Sequence, residues 1–357
     1  MTTPKRSLPP VATSDDTRPQ VFDLNAFMAL LNDEVTVGNR AALRLIDAPS
    51  TERASLLAAN PDWLRIGTFD ALLKFAREEV DRSPARAEQI TRFVLDHIDE
   101  IKATSDEDLL LDLLRGVAHK VHATVLFRRR EDLPAAREHI EEAVRVLGRR
   151  AALAPDRASA RFVQAQIWHA LQETDIALEI LDECETLFAT RGDAHRYVQT
   201  LSQRGICYFE LADDSRETAP EVVDEYFELA HCAWVNALSE AERIGDARES
   251  ARLKNSLGHW ATEVGALPQA RAYFVQAIEE FTALDMTGEV LRALWGVGEL
   301  DAQQGNVDDA VALLRRVYQE FLDRGMAADA GLVYIDISRK LDQKRPELQL
   351  AYDACLH

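Results

Sequence analysis

Five alanines recur at positions 136, 177, 230, 270 and 310, at intervals of 41, 53, 40 and 40 residues, and each heads the same local pattern. Four residues on stands an apolar side chain: Ile140, Leu181, Trp234, Phe274 or Leu314. Seven residues on stands a compact one: Ala143, Cys184, Ala237, Ala277 or Val317. Twelve residues before the alanine comes another compact residue: Thr124, Ala165, Gly258 or Gly298, with Gly205 taking that place in the long interval. Fixed-period self-similarity marks a chain built from stacked supersecondary units. The +4 and +7 spacing is one stripe of a helix. Two antiparallel helices approach closely only where side chains are small, so the compact residue of the first helix is expected to face the anchor alanine of the second. A hairpin of this kind buries one face on its own and needs a neighbour for the other.

The long interval carries an extra stretch, "DDSRETAPEVVDE", which is expected to break the repeat between its two helices, with Pro220 placed to start the second. A weaker copy of the pattern is visible around Phe75 and Ala87, and a truncated one around Ser338 and Leu350. Ahead of the array, "VFDLNAFMALLN", "GNRAALRLID" and "STERASLLAAN" are helical, with Ser50 as an N-cap, and "NPDW" at 60–63 is a turn. Three regions follow: a disordered tail over 1–21, an N-terminal helical region over 22–104 that has room for a degenerate first repeat, and the repeat array over 105–357.

The spacing, with Tyr208, Trp168 or Phe127 three residues after the first compact position, resembles the tetratricopeptide repeat. The match runs over roughly residues 105–345. The period of about 40 and the lack of a closing proline are similar to the long-helix variety found in bacterial regulators and peptide-pheromone receptors. "GD" or "GN" turns at Gly192-Asp193, Gly245-Asp246 and Gly305-Asn306 fit that variety, since Gly ends a helix and Asp or Asn starts the next. The resemblance implies an all-α fold, a right-handed α-α superhelical solenoid of TPR-like helical hairpins. It also implies a concave groove that holds a partner, and no catalysis.

First helices line such a groove. Counting six before, three before and one after each compact position selects Arg252, Asn255 and His259, then Arg292, Trp295 and Glu299, with Gln199, Ser202 and Gln166 from earlier units. Asn offers donor and acceptor together, which suits a peptide backbone. Trp is a frequent anchor in binding surfaces. The plain alternative is that these are solvated helix residues. Phe162 and Val121 occupy the place equivalent to Trp295, which points to partial burial there.

Other features carry less chemistry. His119, His122 and His139 have helical spacing that zinc could use, but no H-E-x-x-H is present, and ordinary helix histidines are the better reading. The stretch 115–150 holds nine Lys/Arg against five Asp/Glu, while 205–249 holds twelve acidic and three basic residues. Two such segments could meet head to tail in a homo-oligomer. The uncapped C-terminus, ending "AYDACLH", is a second route to self-association. A formal net charge of −20 disfavours nucleic acid and anionic membranes as partners. No phosphate-binding glycine motif and no G-x-S-x-G is present, so neither a cofactor, a metal nor catalysis is expected. Four cysteines without a CxxC pair, no signal-peptide pattern and no membrane-spanning run place the chain in the cytoplasm. The expected function is a non-enzymatic scaffold or adaptor that binds a protein or peptide. The alternative is a ligand- or peptide-responsive regulator whose superhelix changes shape.

Overall fold

The structure, a computed structural model, describes residues 24–80, 82–101, 108–130 and 132–344, with side chains from 35 to 338. The 1–21 tail, Leu350 and the "AYDACLH" terminus lie outside the described residues. Every regular element among the described residues is a helix. The chain divides into two compact units, between Ile180 and Leu181.

The first unit contains α1 (Leu24–Asp47), α2 (Ser50–Ala59), α3 (Ile66–Glu79), α4 (Pro84–His97), α5 (Asp108–Arg129), α6 (Leu133–Leu147), α7 (Ala154–Ala170) and the start of α8 (Thr174–Arg191). α1 packs on α3, α3 on α4 and α5, and α5 on α6 and α7. α1 runs unbroken through Gly38, where a Cβ would stand 2.5 Å from the backbone of Gly67, so only glycine permits that approach. Ser50 is the first helical residue of α2 rather than its cap; Pro49 holds the cap position and makes no side-chain bond. Pro61–Trp63 forms a single 3-10 turn.

The second unit holds the rest of α8, then α9 (Ala194–Thr218), α10 (Val223–Ile244), α11 (Ala247–Glu263), α12 (Leu267–Ala283), α13 (Thr287–Gln303), α14 (Val307–Asp323) and α15 (Ala327–Lys344). From α9 onward each helix packs on the next, and first helices α9, α11 and α13 also lie beside one another. Turns between helices follow simple chemistry. Gly245 and Gly192 adopt φ of +72° and +69°, a region open to glycine. The following Asp246 and Asp193 accept hydrogen bonds from the Glu249 and Arg196 backbone N–H groups at 3.1 and 3.2 Å. Asn306 makes no such bond.

All five anchor alanines are buried to 1 % exposure or less, and the +4 and +7 residues are buried with them. A further position, eleven after the anchor, is buried in every copy: Leu147, Phe188, Ala241, Phe281 and Phe321. The pattern also runs through α4, where Ala87, Thr91, Val94 and Ile98 hold the same register and are buried.

The small positions act differently from the small-on-small contact read from spacing. The space left by Gly258 is filled by the Phe274 ring; a Cβ there would lie 2.7 Å from its nearest atom. Gly296 of α13 meets the same ring from the other side, at 2.5 Å. Gly298 receives Leu314, and Gly205 receives Trp234, whose indole Nε1 donates to the Ser202 carbonyl at 3.0 Å. In α10, α12 and α14 the bulky +4 residue is thus seated on a glycine of the preceding helix. The stretch "DDSRETAPEVVDE" does not interrupt the pair with a loop. It lengthens α9 to 25 residues and α10 to 22, against 17 in each of α11 to α14, with one 3-10 turn (Pro220–Val222) at the tip.

Two glycines and two alanines test this packing. Gly258→Ala drives a methyl into a fully buried ring and lowers stability, whereas Gly331→Ala, in open space on α15, raises it by about 0.5–1 kcal/mol. Ala270→Leu is expected to cost about 1–3 kcal/mol more than Ala283→Leu, which is exposed. Denaturant unfolding of the four variants reads both differences.

Candidate functional site

In the second unit the residues selected from the sequence on α11 and α13 form one connected line with α15. Arg252 pairs with Glu249 at 3.0 Å on its own helix and with Glu289 of α13 at 3.5 Å. Arg292 pairs with Glu289 at 3.1 Å and with Asp329 of α15 at 2.9 Å. Acid and base alternate from Glu249 through Arg252, Glu289 and Arg292 to Asp329, tying three first helices side by side. Burial by itself would lower the pKa of Arg292; its hydrogen bond to Asp329 and the charge of Glu289 outweigh that and raise it.

A second rung runs parallel. His259 Nδ1 lies 3.7 Å from Glu299, and its ring meets Phe274 edge-on with centroids 5.0 Å apart. Trp295 is partly buried, and its Nε1 donates to Asp336 at 3.0 Å. The equivalent Val121 of the first unit is fully covered, at 3 % exposure. Between the rungs sits Asn255. Its Oδ1 is buried and has no hydrogen-bond partner, an arrangement native structures rarely leave unfilled.

The remaining selected residues are placed as follows. Gln199 Nε2 lies 3.2 Å from His195 Nε2 on α9, and His195 Nδ1 reaches Asp246 at 2.7 Å. Ser202 contributes its carbonyl to Trp234. Gln166 is on α7 in the first unit and is half-buried. The sequence reading missed the acids of the line, Glu249, Glu289, Asp329 and Asp336. Their helical offset from the compact positions was available as a signal, but nothing in the spacing says which residue an arginine on the next helix will meet.

Much of the basic stretch is paired on folding. Arg115 pairs with Asp99, Arg129 with Glu88, Arg137 with Glu141, Arg145 with Glu142, and Arg149 and Arg150 share Asp112. Six of the nine cations are therefore matched within the first unit, and three of their acids, Glu88, Asp99 and Asp112, come from outside the stretch.

The histidines do come together. His119 and His139 Nδ1 atoms are 2.9 Å apart, His122 Nδ1 is 2.7 Å from Thr91 Oγ1, and His122 meets His139 edge-on. Among the described residues no group of three or more metal-ligating side chains is arranged to hold an ion. Burial, followed by the neighbouring His139, lowers the pKa of His119 to about 4 and that of His122 to about 3.

The described hairpins, with their shared register and their line of first helices, are TPR-like, and the chain has the fold of helical-repeat proteins of that kind. Solved structures bear this out. Aspartyl phosphate phosphatase F from Bacillus subtilis aligns with a TM-score of 0.62 at 10 % identity, over 94 % of this chain and 83 % of that one. RapI in its apo form aligns with a TM-score of 0.57 at 13 % identity, over 79 % and 93 %. NprR in complex with its cognate peptide NprX aligns with a TM-score of 0.53 at 13 % identity, over 92 % and 88 %. No family model matches the sequence, and no curated protein matches it.

The depressed histidines, His119, His122 and His139, make stability depend on pH. An unfolded histidine titrates near 6.5, so below that value the unfolded chain takes up protons that folded His119 and His122 refuse. Their stabilising contribution is complete above about pH 6.5 and falls away as the pH drops towards about 4 for His119 and about 3 for His122. Denaturant unfolding between pH 7.5 and 5, above most carboxylate titrations, is expected to show this decline. His122→Gln should lessen the slope by up to about one proton.

Proposed function

We propose that this protein is a non-enzymatic adaptor that binds a peptide or an extended protein segment along the first helices of its second unit. The observation that carries this reading is Asn255. It places a buried, unpaired amide oxygen between two cross-helix rungs, where a backbone N–H of an extended ligand would complete it. Arg252, His259, Arg292, Trp295 and Glu299 flank that position on α11 and α13, and Gln199 and Ser202 continue the line on α9. Gln166 belongs to the corresponding face of the first unit. Protein and peptide partners suit a surface of this mixed polarity better than nucleic acid or a membrane. No described helix is long and apolar enough to cross a bilayer, and three of the cysteines, Cys184, Cys207 and Cys232, are free, which supports a cytoplasmic setting.

A second reading has its own support. The side chains that would meet a ligand also set the spacing of α11, α13 and α15, through Arg252–Glu289 and Arg292–Asp329. A ligand that competes for those groups favours a different spacing, which is how a peptide-responsive regulator works. The fold likeness to NprR, solved with its cognate peptide, points the same way. One neighbour in fold carries the name phosphatase, so the non-enzymatic part of the reading has a direct check: turnover of acetyl phosphate or p-nitrophenyl phosphate would overturn it.

The binding reading is tested with a displayed library of random heptapeptides panned against the full chain. Enriched peptides should lose about 2 kcal/mol or more of affinity with Trp295→Ala and about 1 kcal/mol with Asn255→Ala. Glu279→Ala, exposed on α12, should leave binding unchanged. Equal effects at all three positions would remove the site from this face. A change in scattering radius on adding the peptide would separate the regulator from the passive adaptor.

A further inference from the structure

Arg53 lies in the first turns of α2 and keeps only 4 % of its surface exposed. Its Nε donates to the Leu45 carbonyl at 2.9 Å, in the last turn of α1, where helix carbonyls lack a partner of their own. That bond accounts for one edge of the guanidinium. Nη1 is also buried and has no hydrogen-bond partner. Among the described residues no carboxylate pairs with it. A buried cation without a counter-charge is costly, and proteins rarely keep one idle.

The charge that does act on Arg53 is a second cation. Arg86, at the start of α4, lies with its guanidinium 4.8 Å from the centroid of the Phe75 ring of α3 and is itself without a described carboxylate partner. Burial, and then the charge of Arg86, lower the pKa of Arg53. Glu52, the acid next to it on α2, is exposed and stays apart. α2 opens without a side-chain cap, and Glu52 in its first turn is the acid that complements its dipole. Among the described residues the other arginines of the first unit that meet no acid, such as Arg40, Arg44, Arg77 and Arg82, are exposed, whereas Arg53 is buried. Elsewhere in the first unit, Arg115, Arg129, Arg149 and Arg150 each found one.

We propose that Arg53 and Arg86 form a receiving site for an oxyanion, a carboxylate or a phosphate, that completes the hydrogen bonds of the buried guanidinium. Planar oxyanions match a guanidinium edge with two parallel bonds, and a flanking arginine adds attraction at the rim. The site stands apart from the peptide-binding face of the second unit, and the failure of one proposal leaves the other standing.

The test is the melting temperature of the full chain during titration with inorganic phosphate and, separately, with acetate, at ionic strength held constant with chloride. The expected result is a saturable rise with at least one of the two, lost in Arg53→Met and shifted several-fold to higher anion concentration in Arg86→Gln. A response to phosphate alone assigns the site to phosphate; a response to acetate assigns it to carboxylates. Phosphate also stabilises proteins by exclusion from their surface, but that effect rises without saturating and is common to all variants. A rise of only that kind, no rise, or an equal saturable rise in Arg53→Met overturns the site. Should Arg53→Met fail to fold, the exposed Arg86→Gln carries the comparison, and an unaltered response there overturns it equally.

Discussion

The seating of a bulky second-helix side chain on a glycine of the first helix is the contact on which the second unit depends. Phe274 fills the space at Gly258 and Gly296 together, so one ring fixes both the hairpin α11–α12 and the approach of α13. Leu314 on Gly298 and Trp234 at Gly205 repeat the device with different side chains. What is conserved along the array is therefore a volume, split between a large and an absent side chain, and not a residue pair. This also explains how the α9–α10 hairpin absorbs its extra residues. Helices can grow past the seat at their far ends, away from Trp234, while the register at the seat stays as it was.

The same packing makes the first-helix line possible. Once Phe274 holds α11 and α13 at close range, side chains two to three turns apart along each can reach across, and Arg252 meets Glu289 while His259 meets Glu299. Exposed ion pairs contribute little to stability one by one. Their value here is geometric. Each arginine is held by two carboxylates from different turns, so the line has a defined charge pattern before any ligand arrives. Asn255 is the place where that self-satisfaction stops.

The hairpin register was legible in the sequence because burial in a helix is periodic, and the +4 and +7 positions repeat the period directly. The +11 position was equally regular, but Leu147, Ala241 and Phe321 share no size or shape that would draw notice. The small-on-large seat was misread as small-on-small because spacing within a helix says which face is buried and nothing about what the next helix puts there. The groove residues were found by offset, yet their partners were not, for the same reason. His119 and His122 showed their shared face through the i, i+3 spacing; it took the α5–α6 packing to bring His119 and His139 to hydrogen-bonding distance. Arg53 gave no sign at all, since an arginine without an acid is ordinarily exposed.

Charge illustrates the limit most sharply. Residue counts made 115–150 look basic, but a count along the chain ignores that Glu88, Asp99 and Asp112 arrive from neighbouring turns and helices to meet those arginines. The acidic stretch behaves in the opposite way. Asp214, Glu217, Glu221, Asp224, Glu225 and Glu228 crowd the lengthened tip of α9–α10 and are all exposed, while Arg216 there is already held by Asp213 and Glu263. Folding pairs most of the basic segment and leaves the tip of the acidic one exposed. This run of exposed acids stands where the array departs from its own period, on helix ends that the glycine seats do not need.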